Sequence, residues 1–86
     1  MHAVVKTGRG PGGSVAVVET PKIGDRDVLV KVEAATICGT DVHIWQWNQW
    51  AEQRIKKIPL ILGHEFAGRV VEVGHSVSTL EKGDMI

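Results

Sequence analysis

Val28-Leu29-Val30-Lys31-Val32-Glu33-Ala34-Ala35-Thr36-Ile37 is the stretch from which the fold class follows. Successive side chains of an extended chain point to opposite sides, so Val28, Val30 and Val32 share one face and Leu29 and Lys31 the other. The sequence therefore predicts a strand here, with Lys31 marking one face as partly solvated. Upstream, Ala3-Val4-Val5 predicts a strand that stops at Thr7-Gly8-Arg9-Gly10-Pro11-Gly12-Gly13, where four glycines and a proline make a turn or mobile loop. Ser14 to Glu19 is a second β-branched run, ended by Pro21 and the polar turn Gly24-Asp25-Arg26-Asp27. The first two runs are expected to form a hairpin, with His2 in an edge strand.

Downstream of the opening stretch the period changes. Thr40-Asp41-Val42-His43-Ile44-Trp45-Gln46-Trp47 has no alternation and predicts one or two helical turns with Thr40 as N-cap. On such a helix Thr40, His43 and Trp47 lie at i, i+3 and i+7 and share a face. Asn48 to Lys57 is polar and basic, a surface loop or short helix closed by Pro59. Leu60-Ile61-Leu62 leads into Gly63-His64-Glu65, and Phe66 to Val73 reads as a β-rich stretch interrupted by Gly68. Gly74-His75-Ser76 is a turn, Val77 to Leu80 a short extended piece, and Glu81-Lys82-Gly83-Asp84 another turn. Met85-Ile86 then begins a new strand, which predicts that the chain is a truncated piece of a longer domain. Short strands at intervals of about 8–12 residues with little helix predict an all-β barrel or sandwich.

Composition narrows the function classes. A chain of 86 residues with 43% hydrophobic side chains can bury one small core, and a complete two-domain enzyme is too large for it. Ten basic residues balance ten acidic ones, so no electrostatic footprint for nucleic acid or an anionic membrane exists. The cluster Arg54, Lys56 and Lys57 reads as a solvated face or subunit contact. One cysteine excludes a disulfide framework and suits a reducing compartment. With no signal peptide and no apolar run near the roughly 20 residues of a membrane span, the expected location is cytoplasmic.

Cys38, His64 and Glu65 are the residues that could carry chemistry. Thiolate, imidazole and carboxylate are the donor types of zinc, and a catalytic zinc typically takes three protein ligands. Gly39 follows the cysteine and Gly63 precedes the histidine, where the backbone can turn to let side chains converge. Taken alone, a lone cysteine such as Cys38 is more often a small core hydrophobe, and a lone pair such as His64-Glu65 more often a solvated pair than a ligand set. His2 and His75 read as an ordinary strand and turn residue. Trp45, Trp47 and Trp50 read as core or interface residues, with Trp47 placed nearest a cleft. Gly8-x-Gly10 is no dinucleotide fingerprint, because no strand-to-helix context surrounds it.

Whole segments, however, match a pattern. Gly63-His64-Glu65-Phe66-Ala67-Gly68-Arg69-Val70-Val71-Glu72-Val73-Gly74-His75-Ser76-Val77 resembles, without a departure, the G-H-E-x2-G-x5-G-x2-V signature of zinc-containing medium-chain alcohol dehydrogenases. Cys38-Gly39-Thr40-Asp41-Val42-His43 is similar to that family's C-G-[ST]-D-x-H, and Gly83-Asp84 to its G-D-x-V. Met85 departs from the basic or imidazole residue usual after Gly-Asp. Within the family, the Cys38 segment followed by Trp47 and Trp50 most resembles the branch that acts on L-threonine.

The resemblance implies a mainly β fold, a GroES-like partly open β-barrel with short helical segments, truncated after its N-terminal part. It implies Cys38, His64 and Glu65 as zinc ligands, Glu65 being able to come on and off the metal, with a further ligand beyond Ile86. Thr40 and His43 would form the catalytic relay that removes the substrate hydroxyl proton, and Asp41 either orients neighbouring donors or sits in a helix first turn. The substrate would be a small molecule, L-threonine, and the hydride acceptor NAD, bound by a Rossmann domain absent from this chain, as is the four-cysteine structural-zinc lobe. The intact enzyme would be a homo-oligomer, a homotetramer, and the isolated piece inactive. Two other readings stand beside it: a polyol or 2,3-butanediol dehydrogenase of the same family, and a non-catalytic GroES-like oligomerisation module.

Overall fold

The structure, a computed structural model, describes residues 1–86. Five strands and two short helices follow the order β1 (His2–Lys6), β2 (Ser14–Val17), β3 (Val28–Thr36), α1 (Gly39–Gln46), α2 (Gln49–Arg54), β4 (Leu60–Ile61) and β5 (Glu65–Val73). The strands form two sheets, β2-β1-β4 and β3-β5. The expected mainly β class with short helical segments holds. No helix is long and apolar enough to cross a membrane. Two compact units are distinct, Met1–Glu19 with Thr36–Glu65, and Thr20–Ala35 with Phe66–Ile86.

In the first unit β1 pairs antiparallel with β2, Val4 opposite Val15, so the expected hairpin forms. On its other side β1 pairs with β4, Val5 opposite Ile61 and Lys6 opposite Leu60, which makes β1 the central strand, while His2 at its start is paired with β2 alone. Val5 of this sheet is buried, and so are Ile44 of α1 and Ala51 of α2.

The end of β1 carries an unusual core residue, because Lys6 is fully buried. Its ammonium donates to the Gly10 carbonyl, to the Gly12 carbonyl at 2.5 Å and to the Trp45 carbonyl at 2.9 Å. Gly12 N–H donates to the same Trp45 carbonyl at 2.7 Å. Trp45 O is one of the last carbonyls of α1 and has no partner within the helix, so the glycine loop caps it. Burial pushes the Lys6 pKa below its usual value.

Helix α1 begins two residues earlier than expected. Cys38, not Thr40, is the N-cap, and Asp41 reaches back to accept its N–H at 3.1 Å. A carboxylate three residues into a helix satisfies one orphan donor and opposes the positive end of the helix dipole. The helix stops at Trp47, whose left-handed φ of 55° places it outside the α1 face that carries His43. The expected shared face of Thr40, His43 and Trp47 is therefore cut short by the chain reversal.

Helix α2 is capped by Asn48, whose side chain accepts the Ala51 N–H at 3.1 Å. Arg9 closes its far end by donating to the Glu52 carbonyl at 3.1 Å and the Ile55 carbonyl at 3.2 Å. The same guanidinium pairs with the Glu52 carboxylate at 2.8 Å, and Trp47 Nε1 donates to that carboxylate as well. The Arg9 hydrogen bond, then the Trp47 one, holds the Glu52 carboxyl below the usual carboxylate range. A depressed folded-state value gives stability that is present above the unfolded carboxylate pKa and is lost as pH falls through the folded one. Glu52→Gln is therefore expected to lower Tm slightly at neutral pH and to lose that difference in acid, since the pair is exposed to solvent. Equal Tm curves for the two proteins from neutral to acid pH would remove the pair from the stability account.

In the second unit β3 and β5 pair, and Val70 is its buried centre. Gly68 does not interrupt β5 but permits the pairing. A Cβ there would run into the Lys31 carbonyl and come within 2.7 Å of Val30 Cγ1. Met85 forms a single antiparallel bridge with Arg69, whereas Val77 to Leu80 takes no strand conformation. Its neighbours account for this: Gly74 and Ser76 spend their N–H groups on the Asp27 and Asp25 carbonyls, at 2.8 and 2.9 Å. The chain is thereby committed to a turn.

Candidate metal centre

Cys38 stands at the junction of β3 and α1, half-buried, with its backbone fixed by Asp41. His64 and Glu65 arrive from β4 through Gly63, whose φ of 107° is a conformation that L side chains rarely adopt. The sulfur of Cys38, a ring nitrogen of His64 and a carboxylate oxygen of Glu65 lie within 4.8 Å of one another. Three donors separated by up to 27 positions in sequence thus meet at one point.

Asp41 organises two of them. Its Oδ2 accepts the Cys38 N–H, while Oδ1 lies 3.3 Å from His64 Nδ1. The Asp41 side chain is only 13% exposed, so this position is well defined by packing. A carboxylate against one ring nitrogen leaves the other for a metal, the usual arrangement around a ligating histidine. That other nitrogen, Nε2, lies 4.0 Å from Glu65 Oε2.

Glu65 is tethered from the opposite side by Thr36, whose hydroxyl donates to Oε1 at 2.7 Å. The Thr36 hydrogen bond, then one from Cys38, holds the Glu65 carboxyl below the usual range against burial and the Asp41 charge, with His64 adding a smaller pull. The anionic form is the one that can bind a cation.

The donor set fits zinc. Tetrahedral zinc with bonds of about 2.0–2.3 Å spaces its ligand atoms by about 3.3–3.8 Å. The 4.8 Å limit here requires a closure of at most about 1.5 Å from the tetrahedral spacing, within reach of side-chain rotation because His64 and Glu65 are about half exposed. Soft thiolate beside imidazole and carboxylate also disfavours calcium and magnesium, which take all-oxygen shells.

Thr40 joins this group, its Oγ1 accepting from the Cys38 thiol at 3.7 Å. His43 does not: no hydrogen bond links it to Thr40. Its Nδ1 meets Asn48 Nδ2, and its ring lies 5.5 Å from that of Trp50. Trp47 packs beneath the Arg9 guanidinium at 5.1 Å. His75 pairs with Asp25 at 3.2 Å, and neither it nor His2 is in the donor group. Thr36 and Asn48 are the residues that sequence reasoning missed. Asn48 carried a readable signal, since an Asn three residues before an alanine at a helix start is an N-cap pattern. Thr36 carried none, because its partner lies 29 residues away.

Comparison with known proteins bears on this arrangement. The alcohol dehydrogenase GroES-like domain matches residues 24–86. L-threonine 3-dehydrogenase of Bacillus licheniformis is 49% identical over all of this chain and 25% of its own length. The protein of that name from Caldanaerobacter subterraneus subsp. tengcongensis is 51% identical over all of this chain and 24% of its own. The alcohol dehydrogenase of Aeropyrum pernix superimposes with a TM-score of 0.84 at 34% identity, over 99% of this chain and 25% of that one. The chain thus spans about a quarter of the length of these relatives. Given that match over residues 24–86 and that likeness of fold, the chain belongs to the alcohol dehydrogenase GroES-like domain family.

Proposed function

We propose that this chain is the N-terminal part of the catalytic domain of a zinc- and NAD-dependent L-threonine 3-dehydrogenase, which oxidises the L-threonine 3-hydroxyl to 2-amino-3-oxobutanoate. The observation that carries this reading is the convergence of Cys38, His64 and Glu65 within 4.8 Å. The substrate is supported by relatives about half identical to the chain that bear that enzyme's name. The reading places a further zinc ligand, the structural-zinc lobe and the NAD-binding domain outside these residues, in a cytoplasmic homo-oligomer.

Cys38, His64 and Glu65 would hold the zinc. When bound, the metal supplies polarisation of the substrate hydroxyl, which makes its proton easier to remove. Asp41 holds the His64 ring and the Cys38 backbone at the same time, so one carboxylate orients both donors. Thr36 holds one Glu65 oxygen and leaves the other facing His64. Thr40, next to the Cys38 sulfur, offers a hydroxyl that can accept the substrate proton while passing on its own. In this reading His43 would take the proton on from Thr40, with which it shares α1 but no hydrogen bond.

NADH formation by the full-length enzyme tests the reading, with L-threonine set beside polyols and 2,3-butanediol. L-threonine is expected to lead by about 100-fold in kcat/KM, the scale of discrimination one matched substrate group gives. A polyol turned over instead would discard the substrate, and no turnover at all would favour a non-catalytic module.

A further inference from the structure

Asn48 is held at both ends of its amide. Its Oδ1 accepts the Ala51 N–H at 3.1 Å, and its Nδ2 lies 2.5 Å from His43 Nδ1. Exchanging the amide oxygen and nitrogen would set an NH2 against the Ala51 N–H and leave α2 uncapped. The start of α2 therefore decides which end of the amide faces His43.

An amide nitrogen donates and cannot accept, so His43 Nδ1 must be the acceptor. A neutral imidazole has one N–H, and here it sits on Nε2. The Asn48 backbone N–H donates to the His43 carbonyl at 3.3 Å, and the Trp50 ring lies 5.5 Å from the imidazole, so the backbone keeps the two residues side by side.

We propose that Asn48 is a positioning residue that holds His43 in the neutral Nε2–H form, so that the ring takes up a proton only as the Asn48 amide leaves Nδ1. The proposal rests on the reading that His43 belongs to the proton path. An N–H formed at Nδ1 would face the Asn48 NH2, donor against donor. The proton arriving at Nδ1 breaks the Asn48 hydrogen bond, the Nε2–H bond then releases its proton outward, and the ring ends neutral with one N–H as before. Return of the amide requires the hydrogen to go back to Nε2. Proton transfer at His43 is thereby tied to a motion at the start of α2.

Asn48→Asp separates this role from a structural one, because aspartate caps a helix as well as asparagine does but presents an acceptor to His43. Nitrogen NMR of the full-length enzyme with isotope-labelled histidine reads the tautomer, a His43→Gln copy assigning the signal. The wild-type ring is expected to carry its hydrogen on Nε2 and the Asn48→Asp ring on Nδ1. A wild-type hydrogen on Nδ1, or the same tautomer in both proteins, overturns the proposal. The measurement reads the ring and not turnover, so it stands apart from the substrate test: an enzyme inactive on L-threonine would still give the expected tautomers.

Discussion

Replacing Cys38 by alanine is expected to weaken zinc binding by about 100- to 1,000-fold. Four-ligand zinc sites bind with free energies of about 10–16 kcal/mol, so one ligand carries about 3–4 kcal/mol, and each 1.4 kcal/mol is about tenfold in affinity. The substitution takes away the sulfur and its weak hydrogen bonds to Thr40 and Glu65 but leaves the start of α1 in place, since Asp41 still accepts the backbone N–H of residue 38. Competition against a chromophoric chelator, on the full-length wild-type and variant enzymes, gives the ratio. Asp41→Asn provides the scale, because loss of an orienting partner costs about 10–100-fold. A Cys38→Ala enzyme that kept wild-type affinity would dismiss the centre altogether.

Lys6→Met is expected to destabilise the protein by about 2–4 kcal/mol. The methionine keeps the stem and the volume but removes all three donations of the ammonium. Trp45 O retains the Gly12 N–H, so the Gly10 and Gly12 carbonyls bear the loss. A buried acceptor left without a partner costs about 1–3 kcal/mol, and the lower half of that range applies where a loop lets water return. Urea denaturation reads the difference, and a loss below about 1 kcal/mol would mean that the glycine loop is held by the Gly12–Trp45 bond alone.

The strands were legible in the sequence because alternation and β-branching report local backbone preference. The alternation of Val28 to Val32 located β3, yet it could not tell what that strand would bury: Val30 is half-buried and Val32 is 54% exposed. The α1 start was misplaced because threonine is the stronger capping type, whereas Asp41, by reaching back to the Cys38 N–H, chose the residue before it. Nothing local marks Trp47 as the left-handed residue that ends α1. The metal donors were found only because their flanking motifs resemble a family, since their own types and spacing left a bland reading open. The links that hold them span the chain: Thr36 to Glu65 and Asp41 to His64. A periodicity argument sees neighbours within one element, and these pairs belong to different ones.

The placement of Asp41 has a consequence for how such a sequence can drift. One carboxylate serves the backbone of Cys38 and the ring of His64, so a single codon answers to two positions 26 residues apart. Substitutions at Asp41 and at His64 are therefore coupled, and their effects on metal affinity will not add. Asparagine would keep an oxygen for the Cys38 N–H yet lose the charge beside the imidazole, while glutamate would alter the reach to both. Natural variation around the centre is thus channelled: Asp41 can move only if the segments that carry its two partners move with it.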